Sequence, residues 1–300
     1  MSMKMKRVFY WVGILTILFL SFSLISWKND SQLINLTSYQ KLNLPDEKAV
    51  RFFPKLSLVK MSGKINHFGM DITTGQYIDY HATVPGVKIW IAEMPFTKYL
   101  NIRSDNTGWW TIYVLKFKGK DLELSFVYEK EGWITTKSNK IRVTDDDNLD
   151  LAIQYIDPNY YTYGVKPMVE YMLGGTKIIN AMVVTVGKSW ASMHSDLLPH
   201  GDPGAIAILS PWVPTFGPIY FNEAVQPDPS WTATSVDGGV TWINVPPGEY
   251  SVTAQKEGVK YETVKFDINE ADAKNGIILY IASPPDSVQG DNDSPPPGAQ

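Results

Sequence analysis

Residues 84–133 contain, in order, Val84-Pro-Gly-Val-Lys-Ile-Trp-Ile91, Arg103-Ser-Asp-Asn-Thr-Gly-Trp-Trp-Thr-Ile112 and Tyr128-Glu-Lys-Glu-Gly-Trp133. Residues 234–259 repeat this order as Thr234-Ser-Val-Asp-Gly-Gly-Val-Thr-Trp-Ile243, Val245-Pro-Pro-Gly-Glu-Tyr250 and Ala254-Gln-Lys-Glu-Gly-Val259. Segment 104–108 aligns with 235–239, and segment 130–132 aligns with 256–258. The sequence therefore predicts two copies of one folding unit.

Both copies show the pattern of short β-strands. Apolar and polar residues alternate in the segments 87–91, 122–128, 149–155, 250–254 and 264–268. An alternation with period two is typical of strands that bury one face. Near-continuous apolar runs at 178–186, 205–209 and 277–281 predict further strands. Short strands separated by Gly and Pro turns predict an all-β protein with two tandem sandwiches of transthyretin-like or immunoglobulin-like type.

Changes in composition divide the chain into segments. A basic end at 1–7 precedes the uncharged segment 8–27, and a polar stalk follows at 28–56. We predict the first sandwich at 57–157, a turn-rich linker at 158–172 and the second sandwich at 173–282, with a loop insertion at 187–230. The Pro-rich end at 283–300 has no aromatic residue and is predicted to be disordered.

The segment 8–27 is a candidate membrane anchor. Its 20 residues would span about 30 Å as a helix, which matches the hydrocarbon core of a bilayer. Lys4, Lys6 and Arg7 precede it, so the N-terminus is expected in the cytoplasm and the remainder across the membrane. We therefore predict a single-pass protein of the bacterial cell envelope. The alternative is a signal peptide that is cleaved to give a secreted protein.

Composition excludes several classes of protein. The net charge of −4 gives no basic surface for nucleic acid. The chain has no cysteine, which excludes disulfides, thiolate metal sites and cysteine nucleophiles. The sequence contains no Gly-x-Ser-x-Gly motif, and the pairs Gly174-Gly175 and Gly238-Gly239 are interpreted as turns rather than a phosphate loop. We therefore expect a protein that is not an enzyme.

Several of these motifs resemble those of one domain family. Met61-Ser-Gly-Lys-Ile65, Val84-Pro-Gly-Val-Lys-Ile89, Ser104-Asp-Asn-Thr-Gly108 and Glu131-Gly-Trp133 resemble a carboxypeptidase regulatory-like domain, a transthyretin-like β-sandwich. In the second copy, Asn244-Val-Pro-Pro-Gly-Glu-Tyr250 resembles the family's turn before a strand. The resemblance covers about 57–157 and 173–282. It implies an accessory, adhesive or sugar-binding module.

Aromatic residues mark candidate binding surfaces. The insertion 187–230 contains Trp190 and Trp212 among seven prolines, which limit its flexibility. Trp109 and Trp110 are adjacent in a predicted strand, so their side chains point to opposite faces. We predict all four as ligand-binding residues, and the alternative is that they fill the core or cap the sandwich.

The insertion also contains a candidate metal site. His194, Asp196, His200 and Asp202 place two imidazoles and two carboxylates within nine residues, and these are ligands that suit zinc. The spacing matches no established signature, and Asp196 and Asp202 are also ordinary turn residues. The acidic run 145–150 is a weaker candidate for calcium.

Together these features predict a non-enzymatic binding or scaffolding protein of the envelope that presents the loop 187–230 to a partner protein or a glycan. One alternative is a metal-dependent activity or metal-binding site at 194–202. Another is an accessory structural subunit of a membrane complex.

Overall fold

The computed structural model describes residues 56–79, 82–120, 122–145, 151–187 and 201–283. The predicted membrane segment 8–27, nearly all of the stalk and the tail 284–300 lie outside these ranges, as do Trp190, His194, Asp196 and His200. Among the described helices, none is long and apolar enough to cross a membrane. The anchor and the disordered tail therefore stay predictions.

Strands dominate the described residues. They are β1 (Leu56–Phe68), β2 (Lys88–Ile91), β3 (Trp109–Phe117), β4 (Leu122–Leu124), β5 (Phe126–Glu129), β6 (Thr136–Ser138), β7 (Ile141–Val143), β8 (Ile153–Ile156), β9 (Ala181–Val186), β10 (Ile206–Ser210), β11 (Phe216–Tyr220), β12 (Gly239–Ile243), β13 (Gly248–Lys256), β14 (Val259–Lys260), β15 (Val264–Ile268) and β16 (Ile278–Ser283). The described helices are short: a 3-10 helix (Pro95–Leu100), a π-helix (Tyr160–Val165), α1 (Lys166–Met172) and α2 (Glu270–Lys274). The protein is of the all-β class, as predicted.

The strands pair into four sheets. One has the order β3-β1-β8, and a second joins β10, β13 and β14, with β15 also paired to β13. The strands β4 and β7 form a two-stranded sheet. The largest sheet has seven strands in the order β11-β12-β9-β16-β6-β5-β2. It therefore contains strands from both predicted halves of the chain.

The apolar side chains form two main cores. The first includes Trp110, Phe126 and Tyr128 and draws only on residues between 59 and 155. The second includes Trp242 and Phe266 and draws on residues between 182 and 279. A smaller third cluster joins Val169 to the strands β9, β11 and β12. The two main cores coincide with the two predicted halves.

The alternation of apolar and polar residues predicts β13 correctly, but it does not predict the break in the strand expected at 122–128. On β13 the alternate residues Tyr250, Val252 and Ala254 are buried as predicted. The predicted strand 122–128 instead divides at Ser125, whose backbone N–H donates to Glu93 Oε2 at 2.8 Å. β4 pairs with β7, whereas β5 pairs with β2 and β6. β5 is buried on both faces, so period two does not describe it.

The predicted linker 158–172 is a helix that packs on the core. Asp157 Oδ1 accepts hydrogen bonds from the backbone N–H groups of Asn159 and Tyr160, both at 2.9 Å, and so satisfies donors at the start of the helix. Pro167 lies where the π-helix passes into α1. Tyr160 and Val169 are buried. We call residues 160–172 the connecting helix. The predicted turn-rich linker is therefore helical instead.

Two Pro-Gly turns have the same hydrogen bonds. In the turn 84–87, Ser104 Oγ accepts from Val87 N at 3.0 Å and donates to Val84 O at 2.8 Å. In the turn 202–205, Thr234 Oγ1 accepts from Ala205 N at 2.9 Å and donates to Asp202 O at 2.5 Å. Ser104 and Thr234 therefore occupy equivalent positions.

The neighbouring glycines are equivalent as well. Gly108 and Gly238 have φ of 79° and 70°, and their carbonyls accept from Ile65 N and Val186 N at 3.0 and 2.9 Å. A positive φ is accessible to glycine without the strain that a side chain would add. The sequence alignment paired Gly108 with Gly239, so it is wrong by one residue.

The last strand joins the two halves. β16 pairs in parallel with β9 on one side and with β6 on the other. Next to this junction, Lys137 of β6 is buried, and its Nζ donates to Asp267 Oδ2 at 2.8 Å and to Asp272 Oδ2 at 3.0 Å. Asp272 also accepts from Asn269 N in the capping box of α2. A backbone ladder and a buried ion pair therefore link the halves.

Candidate functional site

The adjacent tryptophans of β3 point to opposite faces, as predicted. Trp110 is 2% exposed, and its ring centroid lies 5.0 Å from that of Phe126 and 6.1 Å from that of Tyr128. Trp110 is thus a core residue, which corrects its assignment to a binding surface. Trp109 is 36% exposed. Ligand contact by Trp109 stays a prediction.

Trp109 belongs to a row of exposed aromatic side chains. Tyr113 and Phe117 are 38% and 61% exposed on the same strand. Residues four apart on a strand share a face and lie about 13 Å apart. The row is therefore about 27 Å long. On the same face Thr111 lies between Trp109 and Tyr113, and Leu115 lies between Tyr113 and Phe117. Several exposed apolar residues on one face are the kind of feature that marks interaction surfaces.

The neighbouring strand β1 extends this surface. The hydroxyls of Ser62 and Thr111 are 2.9 Å apart, so the even-numbered residues of β1 share a face with the odd-numbered residues of β3. Leu58, 52% exposed, therefore adds to the apolar row. The charged residues that β1 places on this face are Lys60 and Lys64. We call the set Leu58, Trp109, Tyr113 and Phe117 the β3 face.

β3 is an edge of its three-stranded sheet and carries an inward-pointing charge. Lys116 is buried, and its Nζ donates to Asp145 Oδ1 at 2.7 Å. This hydrogen bond lowers the pKa of the Asp145 carboxyl. An inward charge hinders pairing of edge strands between copies of a protein. Asp145 is the first residue of the predicted calcium-binding run 145–150, and its carboxylate is already paired with Lys116. Residues 146–150 lie outside the described ranges.

Asp202, the described member of the predicted metal site, is buried and already paired. Its Oδ1 accepts from Lys256 Nζ and its Oδ2 accepts from the Tyr261 hydroxyl. Burial raises the pKa of Tyr261, and the hydrogen bond to Asp202 raises it further. Both carboxylate oxygens thus have partners within the protein. A metal at Asp202 would have to share these oxygens with Lys256 and Tyr261.

The described residues contain no group of three or more His, Asp or Glu side chains close enough to hold a metal. The zinc hypothesis therefore stays a prediction that depends on His194, Asp196 and His200. Of the loop tryptophans, Trp212 is 84% exposed and available for contact. The predicted loop insertion 187–230 is wrong in its described part, because this contains the strands β10 and β11, which pair with β13 and β12. Ligand contact by Trp212 stays a prediction.

Sequence reasoning missed Tyr113 and Phe117. The signal was present, because Trp109, Tyr113 and Phe117 follow one another at intervals of four in a strand-like run. The interpretation stopped at the tryptophan pair. Both faces of β3 carry apolar residues, so hydrophobicity does not show which face is on the surface. The exposure of the side chains does show it.

Comparisons with known proteins give few matches. No protein-family model matches the chain, and no curated protein matches it. Among solved structures, the TIE protein of Bacillus anthracis is 13% identical with a TM-score of 0.22, over 76% of this chain and 35% of that one. The chain thus spans about a third of that protein.

Two pilins also match at low identity. The shaft pilin SpaA of Lactobacillus rhamnosus GG is 9% identical with a TM-score of 0.21, over 78% of this chain and 100% of that one. The major pilin subunit BcpA of Bacillus cereus is 10% identical with a TM-score of 0.20, over 77% and 56%. At these values the likenesses carry no argument about function. The carboxypeptidase regulatory-like resemblance stays a prediction.

Proposed function

We propose that this chain is a non-enzymatic binding protein built from two tandem copies of one β-sandwich. The equivalent Pro-Gly turns clamped by Ser104 and Thr234 support the duplication. The separate apolar cores of the two halves support it as well. In this proposal the first copy binds a partner. The second copy contributes β16, which pairs with β6 of the first copy in the shared seven-stranded sheet.

The observation that carries the proposal is the β3 face, with three aromatic side chains exposed in a row. We propose that it binds a partner protein rather than a glycan. Sugars require hydrogen-bonding groups beside a stacking ring, whereas Phe117 and Leu58 have no polar atoms in their side chains. Aromatic residues with few carboxylates are typical of the centres of protein interfaces.

We further propose that the protein acts at the cell envelope, held there by the segment 8–27. The length of that segment and the basic residues before it support this placement. The β3 face then meets its partner outside the cytoplasmic membrane.

Cross-linking tests the β3 face. A photoreactive amino acid replaces Tyr113 in the full-length protein, which is expressed in its native host and irradiated. We expect one protein partner to be captured. Trp109→Ala and Phe117→Ala should each weaken capture strongly, because loss of a central aromatic residue costs 2 kcal/mol or more, about 30-fold in affinity.

Tyr171→Ala is the matched control. Tyr171 is 87% exposed at the end of the connecting helix, away from β3, so its loss should leave capture unchanged. All variants should keep the melting temperature of the parent within a few degrees, because the altered side chains are exposed. Capture that survives Trp109→Ala and Phe117→Ala together would overturn the proposal. Retention by a glycan column that depends on Trp109 would assign the surface to sugar instead.

A further inference from the structure

A partly enclosed cavity of about 160 Å³ lies beside the seven-stranded sheet, under the connecting helix. Its walls are mostly apolar and include Phe68, Val169, Val183, Phe221 and Ile243. A cavity of similar size in another protein, lined by aliphatic and aromatic side chains, stays dry and binds benzene. This cavity therefore has room for one ring or a short branched chain.

One carboxylate interrupts the apolar lining. Asp237 is the charged residue among the described residues that form the wall. It accepts from Ser235 Oγ and from the backbone N–H of Gly239, and within the described residues no Lys, Arg or His pairs with it. Burial raises its pKa to about 6, although the hydrogen bonds from Ser235 and from Gly239 act in the opposite direction. A carboxylate at an apolar wall favours a ligand that supplies a positive charge.

A second polar atom on the wall lacks a partner. The Tyr160 hydroxyl is buried and makes no hydrogen bond within the described residues. Burial raises the pKa of Tyr160 to about 12, and the neighbouring Tyr77 and Asp237 add to this effect. The hydroxyl is therefore un-ionised at neutral pH, and Tyr160 and Asp237 line the same cavity. Unpaired buried polar groups are rare and require an explanation such as a ligand or an ordered water.

The rim of the cavity holds an unusual backbone. Val225, which lines the cavity, has φ of 53°, a conformation that a β-branched residue rarely adopts. Asn222 holds it there, because its Oδ1 accepts from Ala224 N at 3.0 Å and from Gln226 N at 3.1 Å. The Tyr77 hydroxyl donates to Ala224 O from outside. Strain of this kind concentrates at ligand sites.

We propose that this cavity binds a small primary amine with a compact apolar body. The ammonium donates to the Asp237 carboxylate and to the Tyr160 oxygen. The apolar body fills the space between Val169, Val183 and Ile243. The Phe221 and Tyr160 rings add cation–π attraction, which strengthens where water is excluded. The ligand thus gives the Tyr160 hydroxyl a hydrogen-bond partner and places a positive charge beside the Asp237 carboxylate.

Calorimetry on the full-length protein at pH 8 tests this, with benzylamine as the probe and benzyl alcohol as its neutral isostere. We expect benzylamine to bind at least ten times more tightly than benzyl alcohol. Asp237→Asn should weaken benzylamine at least tenfold and leave benzyl alcohol unchanged. Tyr160→Phe should weaken benzylamine alone by a few-fold. Val183→Phe, which fills the cavity, should abolish binding of both probes.

Two outcomes would overturn the proposal. Equal affinity for the two probes, unaffected by Asp237→Asn, would show a purely apolar site. Absence of binding by either probe would show that the cavity is only a packing defect. Melting curves of each variant check the fold, and Trp109→Ala should leave benzylamine binding unchanged because the β3 face is a separate surface.

Discussion

Replacement of Lys137 by methionine should destabilise the protein by about 3 kcal/mol. Methionine keeps most of the side-chain volume and removes the charge. The Lys137 side chain is 2% exposed, and its Nζ bonds to both Asp267 and Asp272. Removal of one partner from a buried ion pair costs about 3–5 kcal/mol. We use the lower value because the Asp267 side chain is 30% exposed and its Oδ1 still lies 3.4 Å from Lys140 Nζ when Lys137 is replaced.

The pH dependence gives a second, independent readout. Burial is the largest single effect on Asp267 and acts to raise its pKa, but Lys137 and Lys140 together outweigh it, and the net pKa is lowered. A carboxyl with a lowered pKa contributes stability above its unfolded value near 4, and this is lost as pH falls through the folded value. Burial acts to lower the pKa of Lys137, but its two aspartates raise the net value. The difference between parent and variant should therefore be largest near pH 7 and should shrink in acid.

Urea unfolding followed by tryptophan fluorescence measures the difference. Lys140→Met is the matched control, because the more exposed Lys140 lies 3.4 Å from Asp267 and its loss should cost no more than about 1 kcal/mol. A loss below 1 kcal/mol for Lys137→Met, or equal losses for both variants, would refute the reasoning that this buried pair ties the halves together.

Four further predictions follow from the structure and sequence. The raised pKa of Asp237, about 6 against an ordinary 3.8, means that stability falls as pH rises through this interval; Asp237→Asn should remove the fall, up to about 3 kcal/mol between pH 4 and 8, in urea titrations. The fragment 173–283 should give a sheet-type circular dichroism spectrum but melt below the whole protein, because it lacks β6 and Lys137; a helical spectrum would contradict this. Mass spectrometry of the native protein should show the segment 8–27 still attached, and a mature N-terminus near residue 24 would mean cleavage. Zinc should raise the melting temperature of the parent and not of a His194→Ala/His200→Ala variant, if the loop residues bind metal as the sequence predicts.

The strands that bury a single face could be predicted from the sequence. β13 and β15 are examples, because their inward residues alternate with polar ones. β5 could not, since the consecutive residues Val127 and Tyr128 are both buried and the strand has no alternation to recognise. The pairing of β16 with β6 could not be predicted either, because the two strands are far apart in the sequence and only the tertiary fold brings them together.

The candidate sites divide in the same way. The exposed row of β3 is implicit in its spacing, and only exposure shows that Trp109 rather than Trp110 faces outward. Asp237 looks like an ordinary turn residue in Asp237-Gly-Gly, and its burial beside the connecting helix is a tertiary effect. That helix was itself hidden, because Gly164 and Pro167 signal turns unless the packing of Val169 is known.

The position of β16 has a consequence for how the protein is made. β16 is synthesised after every other described strand, whereas its two neighbours β6 and β9 are both made earlier. Until β16 arrives, two strand edges that face one another are open to wrong partners. The sheet can therefore close only after most of the chain has been released. A product truncated before residue 278 would leave the facing edges of β6 and β9 unpaired, so the shared sheet depends on β16 for its continuity.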